Sequence, residues 1–425
     1  MTEWRNWSGS VVARPADIVH PVTEDDLSKR IAQAGKVRVV GAGHSFMPLC
    51  ETDGLLLCLD SLEGSIEIAP DGRSAWAPAG WSLARLTRAL WDKGYSLPNQ
   101  GDVNPQSLAG AVSTGTHGTG AELGSLATFA RGFRLVLADG SMVQCSATER
   151  PDLFQAQRLS LGLLGVVTRI EVDILPAYHL VERLSIMPLA EIIEQWPELE
   201  KRHRHVEFWL FPYSDQAILK TLDICDPTPE PKATSDMSEG IFKFYCELAT
   251  TMPTLTPVLQ RTLMRLIGKG SRRGPAYSVF PSDRTTRFEE MEYELPRAAG
   301  FAALNEVVAW IRKNRLPVSF PFEYRIVAGD DIWLSPFNQG PGASVSMHQY
   351  TKMPWQAVFA GAETIFRAHG GRPHWAKRHN LTARDVHDLY PMAERFGAIR
   401  RDTDPTAKFA NAHLTSLFGI DPPSA

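Results

Sequence analysis

The stretch VRVVGAGHSF at residues 37–46 is an apolar strand that runs into a glycine turn carrying a histidine. The valines favour a buried strand, and Gly41 and Gly43 free the backbone for a tight turn. This stretch alone leaves three interpretations of His44 open: a Rossmann-type mononucleotide pocket, a structural histidine, or a histidine that reacts with the bound molecule.

The Rossmann interpretation fits only in part. Asp60 lies about 20 residues beyond the glycine turn, as the fingerprint requires. However, Phe46 stands at the third glycine position, and MPLCETDG at residues 47–54 has a proline and two acids where a helix should begin. The sequence therefore allows a dinucleotide here but predicts another geometry.

A second glycine-rich stretch, NPQSLAGAVSTGTHGTG, covers residues 104–120. It has few residues able to fill a core, so we predict a loop whose backbone amides and hydroxyl groups face anionic oxygens. The residues that would supply these amides and hydroxyl groups are Gly110, Ser113, Thr114, Gly115, Thr116, Gly118 and Gly120. Two such loops suit one long cofactor lying between two small lobes.

The composition favours a protein with a small-molecule ligand. A length of 425 residues suggests two or three domains, and 44% hydrophobic with 22% charged residues is ordinary for a globular chain. A net charge of -4 does not indicate the basic surface that binding of nucleic acid requires. The first residues lack an apolar signal and no stretch is long enough to span a membrane, so we expect a cytoplasmic protein. The five scattered cysteines are expected to be reduced core thiols.

Local signals predict an α+β chain. Thr23 is expected to cap a helix over residues 24–35 that Gly35 ends, and Ser82 to cap a second helix that Gly94 ends. The ADG turn in FRLVLADGSMVQC predicts a hairpin. The predicted units are a first domain at 1–176, a second domain at 177–375 and a C-terminal segment at 376–425 that returns to the first domain.

Two stretches of the second unit are set apart by composition. CDPTPEPKATSDMSEG at residues 225–240 is predicted to be a surface loop. Residues 242–270 are apolar and helical in pattern, with breaks at Pro253 and Pro257. Helices packed on the second domain are the favoured interpretation, and a membrane-associating or oligomer surface remains open.

Beyond these features the chain resembles a known family through nearly its whole length. The motifs are GAGHSF, LPNQGDVNPQSLAGAVSTGTHGTG, LGLLGVVT, MEYELP, FEYRIV, DDIWLSP, RPHWAK and DPTAKFANAHL. They resemble the aldonolactone and alditol oxidases, a branch of the vanillyl-alcohol-oxidase type flavoproteins. The resemblance implies a two-lobed FAD-binding domain of the PCMH type and an α+β cap domain with a large antiparallel sheet.

The resemblance implies FAD joined covalently to His44. Imidazole is a nucleophile near neutral pH, so the bond to the 8-alpha methyl group of the flavin is chemically reasonable. The other implied cofactor-binding residues are Gly41, Ala42, Gly43, Ser45, Asp102, Ser107, Gly110, Ser113, Gly115, His117, Gly118 and Val167. No cysteine lies between Cys58 and Cys145, so a single covalent bond is expected. No metal site is predicted.

Substrate residues are expected on the second unit. Glu323 and Arg325 are two apart, so on a strand they face the same way. Such a pair is often only an ion pair on a sheet, but the resemblance implies the polyol-binding pair. It also implies that Lys377 and Arg325 lie beside the carbon that gives hydride to flavin N5. Two nearby cations would lower each other's proton affinity and stabilise a developing alkoxide.

Further polar residues suggest a pocket for a hydroxyl-rich molecule. Asp102 would form an acidic wall, and His348 is either a substrate contact or a histidine of the core or sheet edge. His374, Trp375, Asn411 and His413 complete the suggested set.

The resemblance also bears on the electron acceptor, because Gly101 matches the position that is small in oxidases of the family. We therefore expect O2 as the acceptor and hydrogen peroxide as a product. The expected substrate is an aldono-1,4-lactone, slightly ahead of a sugar alcohol, and the protein a monomer or small homo-oligomer. A dehydrogenase with another acceptor is the alternative. A non-catalytic flavin- or sugar-binding protein is a second alternative. It is disfavoured because Lys377, Glu323 and Arg325 are all present.

Overall fold

Residues 3–176 form short strands and helices in several small sheets. The computed structural model describes residues 3–227, 237–282 and 285–421, without the side chains of residues 237 and 238. The strands of this part are β1 (Trp4–Arg5), β2 (Val12–Ala13), β3 (Asp17–Val19), β4 (Val37–Val40), β5 (Leu55–Cys58), β6 (Glu67–Ile68), β7 (Ser74–Pro78), β8 (Tyr95–Ser96), β9 (Ala130–Val136), β10 (Met142–Ser146), β11 (Val166–Asp173) and β12 (Leu175–Pro176). The helices are α1 (Glu24–Gln33), α2 (Leu83–Trp91), α3 (Leu108–Thr114) and α4 (Pro151–Gln157).

The local predictions for this part are largely confirmed. Thr23 Oγ1 accepts a hydrogen bond from the Asp26 amide at 3.2 Å, and Ser82 caps α2 in the same way. The turn between β9 and β10 holds Gly140 at φ +86. The predicted stop of α1 was wrong in detail, because the helix ends on Ala34 in an extended conformation and no left-handed glycine is used.

The glycine turn after β4 leads into an irregular segment. Strands β3, β5 and β4 form a parallel sheet in that order, and β10, β9, β11, β7 and β6 form an antiparallel one. Residues 41–81, all of which the structure describes, contain no helix. The Rossmann geometry is therefore absent at this turn, as the sequence predicted.

Residues 179–373 build one large antiparallel sheet. Its strands are β13 (His179–Pro188), β14 (His205–Leu210), β15 (Gln216–Cys225), β16 (Gly270–Pro275), β17 (Phe288–Pro296), β18 (Phe322–Val327), β19 (Gly342–Tyr350) and β20 (Arg372–Pro373). Their order is β16-β13-β15-β14-β18-β19-β17-β20. The helices between them are α5 (Leu189–Arg202), α6 (Met237–Thr251), α7 (Thr256–Leu266), α8 (Ala276–Val279), α9 (Gly300–Asn314) and α10 (Gln356–Ala368).

The two faces of this sheet differ in character because side chains alternate along each strand. In β17, Met291, Tyr293 and Leu295 point to one face and join a core with residues of α5, α9 and α10. The glutamates between them point to the other face and are also buried. Buried carboxylates need partners, and these come from the neighbouring strands and from loops laid across the sheet.

The chain after the sheet packs back on the first part. Its helices are α11 (Ala383–Leu389), α12 (Ala393–Thr403) and α13 (Ala412–Phe418). Trp375, Tyr390 and Leu414 belong to the same buried cluster as Leu86 and Phe133 of the first part.

The apolar stretch 242–270 forms a helical hairpin, α6 and α7, joined by a 3-10 turn at Pro253–Leu255. Pro257 lies in the first turn of α7, where a missing N–H costs nothing, and does not break a helix. Of the surface loop predicted at 225–240, residues 228–236 lie outside the described residues, and the prediction is wrong for residues 237–240, which belong to α6. None of the helices that the structure describes combines the length and apolar composition needed to cross a membrane.

Candidate active site

A cavity of about 450 Å³ lies where the two glycine-rich stretches meet. Nine of the predicted cofactor residues line it: Gly41, Ala42, Gly43, His44, Ser45, Ser107, Gly110, Ser113 and Val167. Residues that the sequence did not single out complete the wall, among them Trp81, Arg85, Leu161 and Phe409. The stretches are brought together as predicted, about one cavity.

Close backbone approach explains why glycine is needed in the wall. A Cβ on Gly41 would lie 2.3 Å from Ser107 Oγ, and one on Gly80 would lie 2.1 Å from the Leu59 carbonyl oxygen. Real Cβ atoms do not come so near to other atoms, so larger residues would push the walls apart.

The stretch predicted as a loop is partly helical. Ser107 Oγ accepts from the Gly110 amide at 3.2 Å and caps α3, which ends on Gly115 at φ +79. Leu108 and Val112 are buried, so the stretch does fill a core where we expected it would not. Gly101, Asp102, Gly115, His117 and Gly118 do not line the cavity.

The residues after α3 cross onto the large sheet. Thr119 Oγ1 donates to the Val206 carbonyl at 2.6 Å and accepts from the Ile326 amide at 3.2 Å. The Gly120 amide donates to the Ile326 carbonyl at 2.8 Å. These bonds tie the second glycine stretch to β14 and β18.

His44 is half-buried at the cavity wall, with its ring stacked on Trp7 at a centroid distance of 5.3 Å. Burial, followed by the positive charge of Lys377, lowers the pKa of His44 to about 4, although Glu290 acts against this. The imidazole is therefore neutral at physiological pH and keeps a free lone pair for bond formation.

Two motifs that are far apart in sequence meet beside His44. The Phe46 amide donates to the Ala376 carbonyl at 2.7 Å, which fixes the histidine turn to the HWAK segment. Lys377 Nζ lies 5.2 Å from the centre of the Phe46 ring and forms an ion pair with Glu290. The cavity wall thus continues into the charged face of the sheet.

The charged face carries a row of glutamates from β17 facing cations from other elements. Glu292 Oε1 lies 2.5 Å from Arg325 Nη2 and accepts from Ser344 Oγ at 2.5 Å. Its other oxygen lies 4.0 Å from Lys377 Nζ. Burial opposes ionisation of Glu292, but Arg325 and His117 outweigh it and hold the pKa well below its usual range.

His117 and His374, whose ring centres are 5.8 Å apart, are in opposite protonation states. His117 Nε2 lies 3.2 Å from both Glu292 and Glu294. Burial alone would lower its pKa, but the two carboxylates raise it to about 9. Burial lowers the pKa of His374 to about 3, and its Nδ1 accepts from the Ala376 amide at 3.1 Å.

The spacing of His117, Glu292 and His374 would also suit a metal ion, since their ligand atoms lie within 4.8 Å of one another. The contacts that the structure shows there are those of His117 Nε2 with two carboxylates, Glu292 and Glu294, each at 3.2 Å. We therefore interpret the cluster as an ion-pair network.

Glu323 and Arg325 share one face of β18, as predicted, with 3.8 Å between Oε1 and Nε. Both of these atoms are buried without a hydrogen-bond partner. The expectation that Arg325 has a reduced proton affinity is wrong. Burial opposes its charge, but the carboxylates around it, led by Glu292, raise its pKa above the ordinary value.

A second charged cluster lies around Lys220 on β15. Its Nζ lies 3.0 Å from Glu207 Oε1, 3.7 Å from Glu182 and 4.0 Å from Asp102. Asp102 also accepts from Ser282 Oγ at 2.8 Å. The structure therefore places Asp102 in an ion-pair cluster that links the loop at residue 101 to the sheet.

The remaining predicted pocket residues lie in different places in the structure. His348 lies on the charged face, 3.2 Å from Glu290. Trp375 is fully buried and donates to the Leu334 carbonyl, so it is a core residue. Asn411 caps α13 and donates to the Pro48 carbonyl, so the suggestion of a pocket role is not supported for it.

The sequence reasoning missed Glu290, Glu292, Glu294 and Lys220. A signal for the glutamates was present, because EEMEYELP at residues 289–296 alternates acids with large apolar residues. Such alternation predicts a strand with one charged face. Lys220 has no comparable signal, since its partners come from three separate elements.

Comparisons with known proteins agree with this arrangement. The profile of an FAD-binding domain matches residues 15–146, and that of D-arabinono-1,4-lactone oxidase matches residues 170–417. L-gulono-1,4-lactone dehydrogenase of Mycobacterium tuberculosis is 34% identical, over 98% of this chain and 99% of that protein. Alditol oxidase of a Streptomyces species is 30% identical over 97% and 98%, and bovine L-gulonolactone oxidase is 29% identical over 98% of both.

The fold has a solved counterpart. A crystal structure of cholesterol oxidase from B. sterolicum superposes with a TM-score of 0.85, covering 98% of this chain and 96% of that chain at 15% identity. At that identity the likeness concerns the fold alone, which is the predicted two-lobed FAD-binding domain with a large antiparallel cap sheet. Together with the matches in sequence, it establishes that the chain belongs to the D-arabinono-1,4-lactone oxidase family of FAD-dependent oxidoreductases.

Proposed function

We propose that the protein oxidises a hydroxyl group of an aldono-1,4-lactone or, second in order, a sugar alcohol at an FAD bound covalently through His44. The observation that carries the proposal is the junction between Phe46 and Ala376, which joins the cavity at His44 to Lys377 and the charged sheet face. The names of the relatives, which act on gulonolactones, arabinonolactone and alditols, support this substrate class.

The residues of the cavity fit FAD. Glycine at positions 41 and 80 allows walls too close for any side chain, and Ser107 and Ser113 add hydroxyl groups to the lining. FAD, when bound, supplies a two-electron acceptor for the hydride of the substrate carbon. The free, partly or fully buried cysteines support a reducing compartment, and we propose a cytoplasmic location.

The covalent bond is proposed because His44 is neutral, lies in the cavity wall and is held against Trp7. Acid precipitation of the purified protein tests it, since covalently bound flavin stays yellow in the pellet. A His44→Ala variant should lose the pellet colour, while His369→Ala, whose ring bonds Glu306 on the surface, should keep it. Colour that washes out of the wild-type pellet contradicts the covalent bond without touching the proposed reaction.

On the sheet face, three groups have defined tasks in the proposal. Glu323 Oε1, buried without a hydrogen-bond partner, accepts a hydrogen bond from a substrate hydroxyl and so selects which carbon is presented. Arg325 and Lys377 are positive charges that would stabilise the partial negative charge on the reacting oxygen while hydride leaves the carbon that bears it. Since Arg325 holds its own proton tightly among carboxylates, it acts as a fixed charge and not as a proton acceptor.

For the electron acceptor we propose O2, reduced to hydrogen peroxide. The support comes from the resemblance, in which Gly101 matches the position that is small in oxidases of the family, although Gly101 does not line the cavity at His44. The competing proposal is a dehydrogenase with another acceptor, which the name of the Mycobacterium tuberculosis relative favours.

One experiment separates the proposals. Aldonolactones, alditols and small aromatic alcohols are offered to the holoenzyme, once in air with peroxide detection and once without oxygen with a dye acceptor. Lactone turnover that forms peroxide supports the oxidase, and turnover with the dye alone supports the dehydrogenase. Activity confined to the aromatic alcohols would overturn the proposed substrate class.

A further inference from the structure

The outer face of the α6–α7 hairpin, residues 237–266, is unusually apolar. Among the described residues ten large hydrophobic side chains are exposed, and six of them belong to this hairpin. The six are Ile241, Phe244, Met252, Leu255, Val258 and Leu266. Phe244 is 69% exposed and Leu266 72%. Single exposed apolar residues need no explanation, but such a concentration marks a surface that binds something.

The inner face fixes the hairpin firmly. Tyr245, Cys246 and Leu263 are buried in a mostly apolar cluster, and Tyr245 Oη donates to the Ser319 carbonyl at 2.7 Å. Gln260, fully buried, donates to the Val318 carbonyl at 2.7 Å. The exposed residues are therefore the outer side of a docked element, held in place by its inner side.

Cations accompany the exposed apolar residues. Lys243, Arg261 and Arg265 of the hairpin, and Lys269 just after it, are exposed and form no ion pair within the described residues. The acids of the hairpin are engaged elsewhere: Glu247 pairs with Lys352, and Glu239 accepts from the hydroxyls of two threonines of the following segment. The outer face thus carries net positive charge.

We infer that this outer face binds the surface of an anionic lipid bilayer. Lys243 adjoins Phe244 in the middle of α6, and Arg265 adjoins Leu266 at the end of α7, so exposed cations and large apolar residues alternate along the hairpin. Helices that lie in a membrane interface have this composition, with apolar side chains at the acyl boundary and cations among the head groups. A second copy of the chain fits poorly, because it would bring like charges together. A protein interface core is usually depleted of lysine.

A chain of aromatic contacts leads from the inner side of the hairpin to the candidate active site. Phe242 of α6 packs against Phe320 at 4.7 Å, and Phe320 against Phe288 at 5.3 Å. Phe288 contacts Trp7, on which His44 stacks. Four successive ring contacts therefore link the hairpin to His44.

Vesicle flotation with the full-length holoprotein tests the inference. We expect binding to vesicles of phosphatidylglycerol and phosphatidylcholine, weaker binding at high salt, and little binding to phosphatidylcholine alone. A Phe244→Ser, Leu266→Ser variant should partition about tenfold more weakly. The variant Met142→Ser, which removes an exposed methionine of the other part of the chain, should bind as the wild type does.

Flavin content and the fluorescence of the folded protein show that each variant is intact. Three results would overturn the inference: no binding to anionic vesicles at low salt, equal binding by the hairpin variant and the wild type, or self-association that the hairpin variant abolishes while lipid binding is absent. None of these measurements depends on turnover, so failure of the proposed lipid binding can be distinguished from failure of the proposed reaction.

Discussion

His117 and His374 make opposite contributions to the pH dependence of stability, and this can be measured. His117 has its pKa raised from 6.5 to about 9 in the folded protein. Its stabilising contribution is complete below pH 6.5 and is lost as the pH rises through 9. A shift of this size corresponds to about 3 kcal/mol, since one pH unit is worth about 1.4 kcal/mol.

The substitution His117→Gln keeps a polar side chain but removes the titrating charge. The variant should be less stable than the wild type below pH 6.5, because Glu292 and Glu294 lose their shared cation. Between pH 6.5 and 9 the difference should shrink by about 3 kcal/mol. At about 2.1 cal/mol/K per residue over 425 residues, that is roughly 3 °C in Tm.

The assay is urea unfolding of the holoprotein followed by tryptophan fluorescence at several pH values. The matched control is His374→Gln, because burial lowers the pKa of His374 to about 3. His374 contributes stability in its neutral form, which is present in full above pH 6.5 and is lost as the pH falls towards 3. The stability difference between this variant and the wild type should therefore change with pH below 6.5 and stay constant from pH 6.5 to 9. A stability difference between wild type and His117→Gln that stays constant from pH 6.5 to 9 would refute the assignment of charges.

Three further changes test the charged face. Lys377→Met should reduce the rate of flavin reduction by about a hundredfold or more with flavin still bound, measured by anaerobic stopped flow; an unchanged rate would remove Lys377 from the chemistry. Glu323→Gln should raise KM by roughly tenfold, as expected for one hydrogen bond to a charged group, whereas a fall in kcat alone would speak against substrate positioning. Lys220→Met should destabilise the fold by about 3–5 kcal/mol in urea, because it leaves Glu207 buried without its cation; a loss below 1 kcal/mol would show that water or relaxation replaces it.

The fold was predictable to a large extent because its signals are local or shared with a known family. Thr23 and Ser82 cap helices by contacts within three residues, and the hairpin at Gly140 needs only a short turn. The glycine at 41 was informative because its neighbour in space, Ser107, belongs to a stretch that was itself conspicuous.

The partners of buried charges were not predictable in the same way. The sequence predicted a lowered proton affinity for Arg325 because Lys377 was expected beside it. The pKa of Arg325 is instead raised, chiefly by Glu292, which lies on β17, a strand that does not pair with the β18 strand of Arg325. Which carboxylate faces which cation depends on sheet order, and sheet order is set by long-range pairing. The helix at Leu108–Thr114 was missed for a related reason: packing of its leucine and valine against the core overrides the glycine and threonine content.

The arrangement around Lys377 gives the charged face two tasks at once. Its positive charge helps to lower the pKa of His44, which keeps the imidazole neutral, while Glu290, its ion-pair partner, acts in the opposite direction. A lone lysine at this position would be expensive to bury, and a lone glutamate would protonate His44. The Lys377–Glu290 pair therefore places a cation beside the proposed position of the reacting oxygen. It also leaves His44 neutral, as the proposed bond to the flavin requires. This dependence gives Glu290 of β17, which has no direct task in the proposed chemistry, an indirect one through Lys377 and His44.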